Sequence, residues 1–121
     1  MKDNVLKRKS FGFAIRIVNL YKYLIQDKKE FILSKQLLRS GTSVGAMVRE
    51  AEFAESSNDF IHKMAIAQKE INETIYWLEL LKETEYINTS EFESINIDAV
   101  ENIKLITSSI KTAKKSLTTN H

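Results

Sequence analysis

The apolar positions of this chain recur in steps of three and four residues. They begin as Phe11, Ala14, Val18, Tyr21 and Ile25, with Phe13, Ile17, Leu20 and Leu24 widening the stripe. That period predicts a helix over about 10–26. The run Gln26 to Glu30 has no apolar residue and reads as a short turn. Phe31, Leu37, Leu38, Gly41, Val44, Gly45, Val48 and Ala51 then share one side of a second helix, expected over about 31–54. Phe60, Met64, Ala67, Ile71, Ile75 and Leu78 predict a third over about 58–84, with Ser57 or Asn58 at its start and Asp59 complementing the helix dipole. Phe92, Ile95, Ala99, Ile103, Ile106, Ile110, Ala113 and Leu117 predict a fourth over about 89–117, with Thr89 or Ser90 accepting a free backbone N–H. Its many β-branched residues lower local propensity, so packing must hold it. The closing residues Thr118 to His121 are expected to fray.

Four amphipathic segments joined by short turns predict an all-α fold, one antiparallel up-down-up-down bundle over residues 1–121. The chain has no proline and three glycines, which leaves few helix breakers.

Two of those glycines lie in the stretch RSGTSVGAMVREAE, Arg39 to Glu52. A phosphate-cradling loop needs a preceding strand and Gly-x-x-x-x-Gly-Lys-[Ser/Thr]; here the glycines are four apart and Ala46 and Met47 follow. Helical periodicity instead runs through both. Gly41 and Gly45 then fall on one helix face beside Ser40 and Ala46, a thin strip that accounts for a kink or a closely packed neighbour.

Composition adds a few exclusions. Apolar residues make up 43% and charged residues 28%, a globular balance. There is no cysteine, hence neither a disulfide nor a thiolate zinc site, and a reducing cytoplasm is the expected compartment. Arg16, Asn19 and Lys22 interrupt the first apolar run, so neither a signal peptide nor a membrane span is expected.

Gln36 to Leu81 resembles the central block of bacterial four-helix-bundle proteins encoded by intervening sequences of 23S rRNA genes. That family is also called ribosomal-protein-like, and the accessory protein of diversity-generating retroelements is similar to it. Arg39, Ser40, Ser43, Arg49, Glu50, Ala51, Glu55, Ser56, Phe60, Lys69, Glu70, Glu73, Trp77 and Leu78 carry the resemblance. Met47 departs from it, because the family usually has asparagine there. The resemblance implies a left-handed antiparallel bundle, often assembled as a ring of five, with no demonstrated enzymatic activity. Relatives in the retroelement group are strongly basic and bind nucleic acid and a reverse transcriptase.

The net charge of +2 is unevenly spread. Residues 1–49 hold eleven Lys/Arg against three Asp/Glu, residues 50–101 hold three against thirteen, and residues 102–121 hold four against none. With the first and last helices adjacent, Lys7, Arg8, Lys9, Arg16, Lys104, Lys111, Lys114 and Lys115 gather towards one end as a candidate phosphate-contacting patch for RNA or DNA. The same asymmetry suits a head-to-tail contact between copies of the chain, or a protein partner, and a pI of 8.8 is modest for a dedicated nucleic-acid binder.

Other chemistry is poorly supplied. Asp59 and His62 have the i, i+3 spacing of a carboxylate bundle's metal ligands once only, and the other histidine is His121. No haem-attachment motif is present, and no serine or threonine has a histidine base suggested beside it. No cofactor or metal is expected, and the chain is read as non-enzymatic. Arg39, Gly41, Ser43, Gly45 and Glu50 are expected to set helix or subunit register, any buried charge among them needing a partner. Adjacent Tyr76 and Trp77 are expected to point to different sides, one to the core and one to a partner.

Overall fold

The computed structural model describes residues 4–119. Four helices form: α1 (Val5–Gln26), α2 (Leu33–Glu52), α3 (Ser57–Glu83) and α4 (Thr89–Thr119). Helix α1 starts earlier than its apolar stripe because Asn4 accepts a hydrogen bond from the Lys7 backbone N–H at 3.0 Å. The cap of α3 is Ser56, one residue before the expected start, and that of α4 is Asn88, whose side chain takes the Glu91 N–H while the Glu91 carboxylate takes the Asn88 N–H, both at 2.8 Å. Thr118 and Thr119 continue α4, and Asn120 and His121 lie outside the described residues.

The start of α2 is held by Glu30, the last residue of the expected turn. Its buried carboxylate accepts the backbone N–H groups of Ile32, Leu33 and Ser34 at 3.3, 3.0 and 2.8 Å, and the Ser34 hydroxyl donates to the Glu30 carbonyl at 2.8 Å. Three otherwise unpaired helix-start donors are thereby satisfied.

Each helix packs closely on two neighbours, and among the described residues the backbones of the diagonal pairs stay more than 8 Å apart at their Cα atoms. Lys7 reaches Glu52 while Gly41 meets Ile17, Arg39 reaches Glu73 while Glu50 meets Lys63, and Gln68 reaches Thr107 while Lys82 lies over Phe92. In each pair of helices one index rises as the other falls, so consecutive helices are antiparallel. The core is filled by Phe13, Ile17 and Leu24 of α1, Leu37, Val44 and Val48 of α2, Met64, Ile71 and Leu78 of α3, and Ile95, Ala99 and Ile106 of α4.

The thin strip of α2 is explained by close packing against α1. A Cβ placed on Gly41 would stand 2.7 Å from both γ-carbons of Ile17, which is fully buried, and one on Gly45 would stand 3.3 Å from the Ser10 carbonyl oxygen. Gly12 has nothing within 4 Å of such a Cβ, so no packing requires it.

Helix α1 has two apolar rows, and the core takes the second. Phe13, Ile17 and Leu24 are buried, whereas Phe11 and its neighbour Ile15 are exposed and Ala14, Val18, Tyr21 and Ile25 are half-buried. Periodicity identifies an apolar face but cannot rank two of them on one helix. Nor does it mark polar core positions. Thr74 donates to Ser40 at 2.9 Å between α3 and α2, and Asn102 is buried with its carbonyl oxygen unpartnered.

Candidate nucleic-acid interface

Antiparallel packing decides which of the eight candidate cations meet acids. Arg16 lies level with the acidic first half of α4, bonding Asp98 at 2.8 Å and the Ser94 carbonyl and hydroxyl at 3.0 and 2.9 Å. Lys9 pairs with Glu101 at 3.1 Å and Lys7 with Glu52 at 3.0 Å. These three cations are neutralised within the chain. Towards the end of α4 the acids stop, and Lys104, Lys111, Lys114 and Lys115 are exposed. Lys104, Lys111 and Lys114 form no salt bridge among the described residues. Lys104 and Lys111 flank a shallow groove of about 390 Å³ with the hydroxyls of Thr107, Ser108 and Thr112. Arg8 is exposed at the start of α1.

A larger groove, of about 1070 Å³, lies where α1 begins beside the end of α2 and the side of α4. Lys7, Arg8 and Arg49 line it together with Phe11, Leu105, Ser108 and Glu52. The guanidinium of Arg49 sits over the Phe11 ring, 5.0 Å from its centroid. Charge counted by segment does not place Arg49 at this surface. Two signals could have found it: its position on the α1-facing flank of α2, and an aromatic residue on the outer row of α1.

The expected register residues divide between two faces of α2. Gly41 and Gly45 face α1, whereas Arg39 and Glu50 face α3 and are both exposed. Arg39 bonds Glu70 at 3.3 Å and also bonds Glu73, and Glu50 takes Lys63 at 3.0 Å. Neither charge therefore needs the buried partner that burial would have demanded. Ser43 donates to the Arg39 carbonyl at 2.6 Å, within its own helix. The Trp77 ring N–H donates to Glu73 at 3.0 Å; this bond and the Arg39 guanidinium outweigh partial desolvation and hold the Glu73 carboxyl below its ordinary pKa. The same ring packs against the core and lies edge-on to the exposed Tyr76, with centroids 5.0 Å apart. Met47 packs against the core at the position where a family asparagine was expected.

Asp59 accepts the Glu55 backbone N–H at 3.2 Å, and His62 is exposed. Among the described residues no three His, Cys, Asp or Glu side chains stand close enough to hold a metal ion. His121 lies outside those residues. No helix among them is long and apolar enough to cross a membrane.

A square of antiparallel helices with ion-paired outer faces defines an up-down-up-down four-helix-bundle protein. The chain belongs to the 23S rRNA-intervening sequence protein family, whose model matches residues 2–108. It is similar to a protein of unknown function from the S23 ribosomal protein family of Bacteroides thetaiotaomicron VPI-5482, known from a crystal structure at 1.70 Å resolution. The two share 62% sequence identity over 88% of this chain and 99% of that one, with a TM-score of 0.88. No curated protein matches.

Proposed function

We propose that the protein is a non-enzymatic, self-associating accessory protein that binds nucleic acid through the end of the bundle where α4 finishes and α1 begins. The observation that carries this reading is the run of exposed cations Lys104, Lys111 and Lys114 on a segment, residues 102–121, that holds no Asp or Glu. Such a surface attracts phosphates and releases their counterions. Lys115 and Arg8 extend it. Lys7, Lys9 and Arg16 contribute less, because carboxylates of the same chain already hold them.

Light scattering coupled to size exclusion, at low and high salt with a short structured RNA, tests the reading. It predicts an oligomer, a ring of five if the family resemblance extends to assembly, that carries RNA at low salt and releases it at high salt. RNA eluting separately at low salt would overturn it. A second reading, a homo-oligomeric protein-interaction scaffold that binds no nucleic acid, is favoured by the outer row of α1, where Phe11 and Ile15 stay exposed.

A further inference from the structure

Phe11 is 52% exposed on a wall of the large groove, and the cation above it has no carboxylate partner among the described residues. Arg49 lies over a half-exposed ring. Glu52 is the acid among the described lining residues, and Lys7 holds its carboxylate at 3.0 Å. The groove therefore joins an aromatic surface to cations, with Arg49 over the ring and Arg8 and Lys7 about one turn away on α1, and Leu105 of α4 among its lining.

We infer that this groove takes an unpaired nucleotide of a single-stranded nucleic acid. The base stacks on the exposed part of the Phe11 ring beside the Arg49 guanidinium, and the strand's phosphates run on towards the exposed lysines of α4. Every base has a π-face, so stacking on a ring combined with a cationic wall holds single strands without choosing a sequence. A duplex keeps its bases stacked inside and offers a groove of this kind only phosphates, so it gains nothing from the ring. The inference rests on the nucleic-acid reading above and narrows it, assigning the strand's phosphates to the α4 lysines and one unpaired base to Phe11.

The test is fluorescence anisotropy of the full chain with a short labelled RNA, unpaired or annealed to its complement. The variants are Phe11→Ser, Phe11→Tyr, Arg49→Gln and the pair Lys104→Gln with Lys111→Gln, each also weighed by light scattering. Removing the ring is expected to weaken unpaired RNA about tenfold and leave the duplex unchanged, with Phe11→Tyr restoring binding. Arg49→Gln is expected to weaken unpaired RNA more than duplex, whereas the lysine pair weakens both. Equal loss on both RNAs, or no loss, with Phe11→Ser while the lysine pair still weakens binding overturns the groove assignment and leaves the nucleic-acid reading standing. A changed oligomer mass with Phe11→Ser also overturns it, because the ring then belongs to a contact between subunits. If the unaltered protein binds neither RNA, both readings fall.

Discussion

Helix α2 faces two neighbours in two different ways. Towards α1 it presents Gly41 and Gly45, and the separation of the helices is set by hard contact with Ile17 and the Ser10 carbonyl. Towards α3 it presents Arg39, Ser40 and Glu50, which find Glu70 and Glu73, Thr74 and Lys63. Around the two glycines the first seam is a steric contact, so small changes of volume register strongly there. The second is a ladder of largely exposed ion pairs around one buried hydroxyl pair, and exposed pairs each contribute little in water. On the α1 side contact limits the volume allowed at the two glycines, while on the α3 side paired side chains select which residues stand opposite each other.

The steric seam gives the largest expected effects. Ile17→Ala alone should cost about 2–5 kcal/mol, as for other buried aliphatic truncations. Gly41→Ala alone should cost about 1–3 kcal/mol through overpacking, despite alanine's better helix propensity. If contact with Ile17 is the cause, the double variant should cost clearly less than the sum in urea denaturation. Strict additivity would break the account of this seam.

Glu30, which starts α2 beside α1, comes next. Glu30→Ala should cost about 1–2 kcal/mol, in the range seen when a helix cap is removed. Burial alone would raise the Glu30 carboxyl's pKa, but the Leu33, Ser34 and Ile32 N–H groups outweigh it and hold it below the ordinary value. A group depressed on folding stabilises fully above its unfolded pKa and loses that contribution as pH falls through the lower folded value. Denaturation midpoints of the unaltered chain and Glu30→Gln should therefore converge on acidification. A gap that persists in acid would show that the carboxylate charge is not what holds α2.

Gly12→Ala provides the control glycine. With open space at its Cβ, it should gain about 0.5–1 kcal/mol in the same denaturation assay, opposite in sign to Gly41→Ala. Smallest of all is Arg39→Ala on the other seam, expected to cost less than about 1 kcal/mol, with the loss shrinking in high salt. A larger, salt-insensitive loss would mean that the Arg39–Glu73 contact behaves as a buried pair.

Much of this architecture was legible in the amino-acid sequence, because helical periodicity reports burial directly. Phe92, Ile95, Ala99 and Ile106 lie on the buried face of α4 as their spacing requires, and of the kink and the close neighbour that the Gly41 to Gly45 interval allowed, the structure shows the neighbour. Where two rows compete, as with Phe11 and Phe13, period alone cannot choose, since both satisfy it. Caps were displaced by a residue because serine, threonine and asparagine cluster at the starts of α3 and α4, and backbone geometry selects among them. The charge patch was legible as a total but not as a surface. Only the antiparallel alignment of α1 and α4 sets Arg16 and Lys9 against Asp98 and Glu101 and leaves Lys104, Lys111 and Lys114 without salt bridges among the described residues. Arg49 on Phe11 needed the packing of α2 on α1, which no single stretch records.

The most direct test of the proposed interface is the slope of log binding constant against log salt concentration for a short RNA. The triple variant Lys104→Gln, Lys111→Gln and Lys114→Gln is the comparison. The account predicts a steep negative slope for the unaltered chain, made shallower by about 2–3 in the variant, since each phosphate-neutralising lysine accounts for roughly one unit of slope. A slope the variant leaves unchanged, or no binding at low salt, would contradict it.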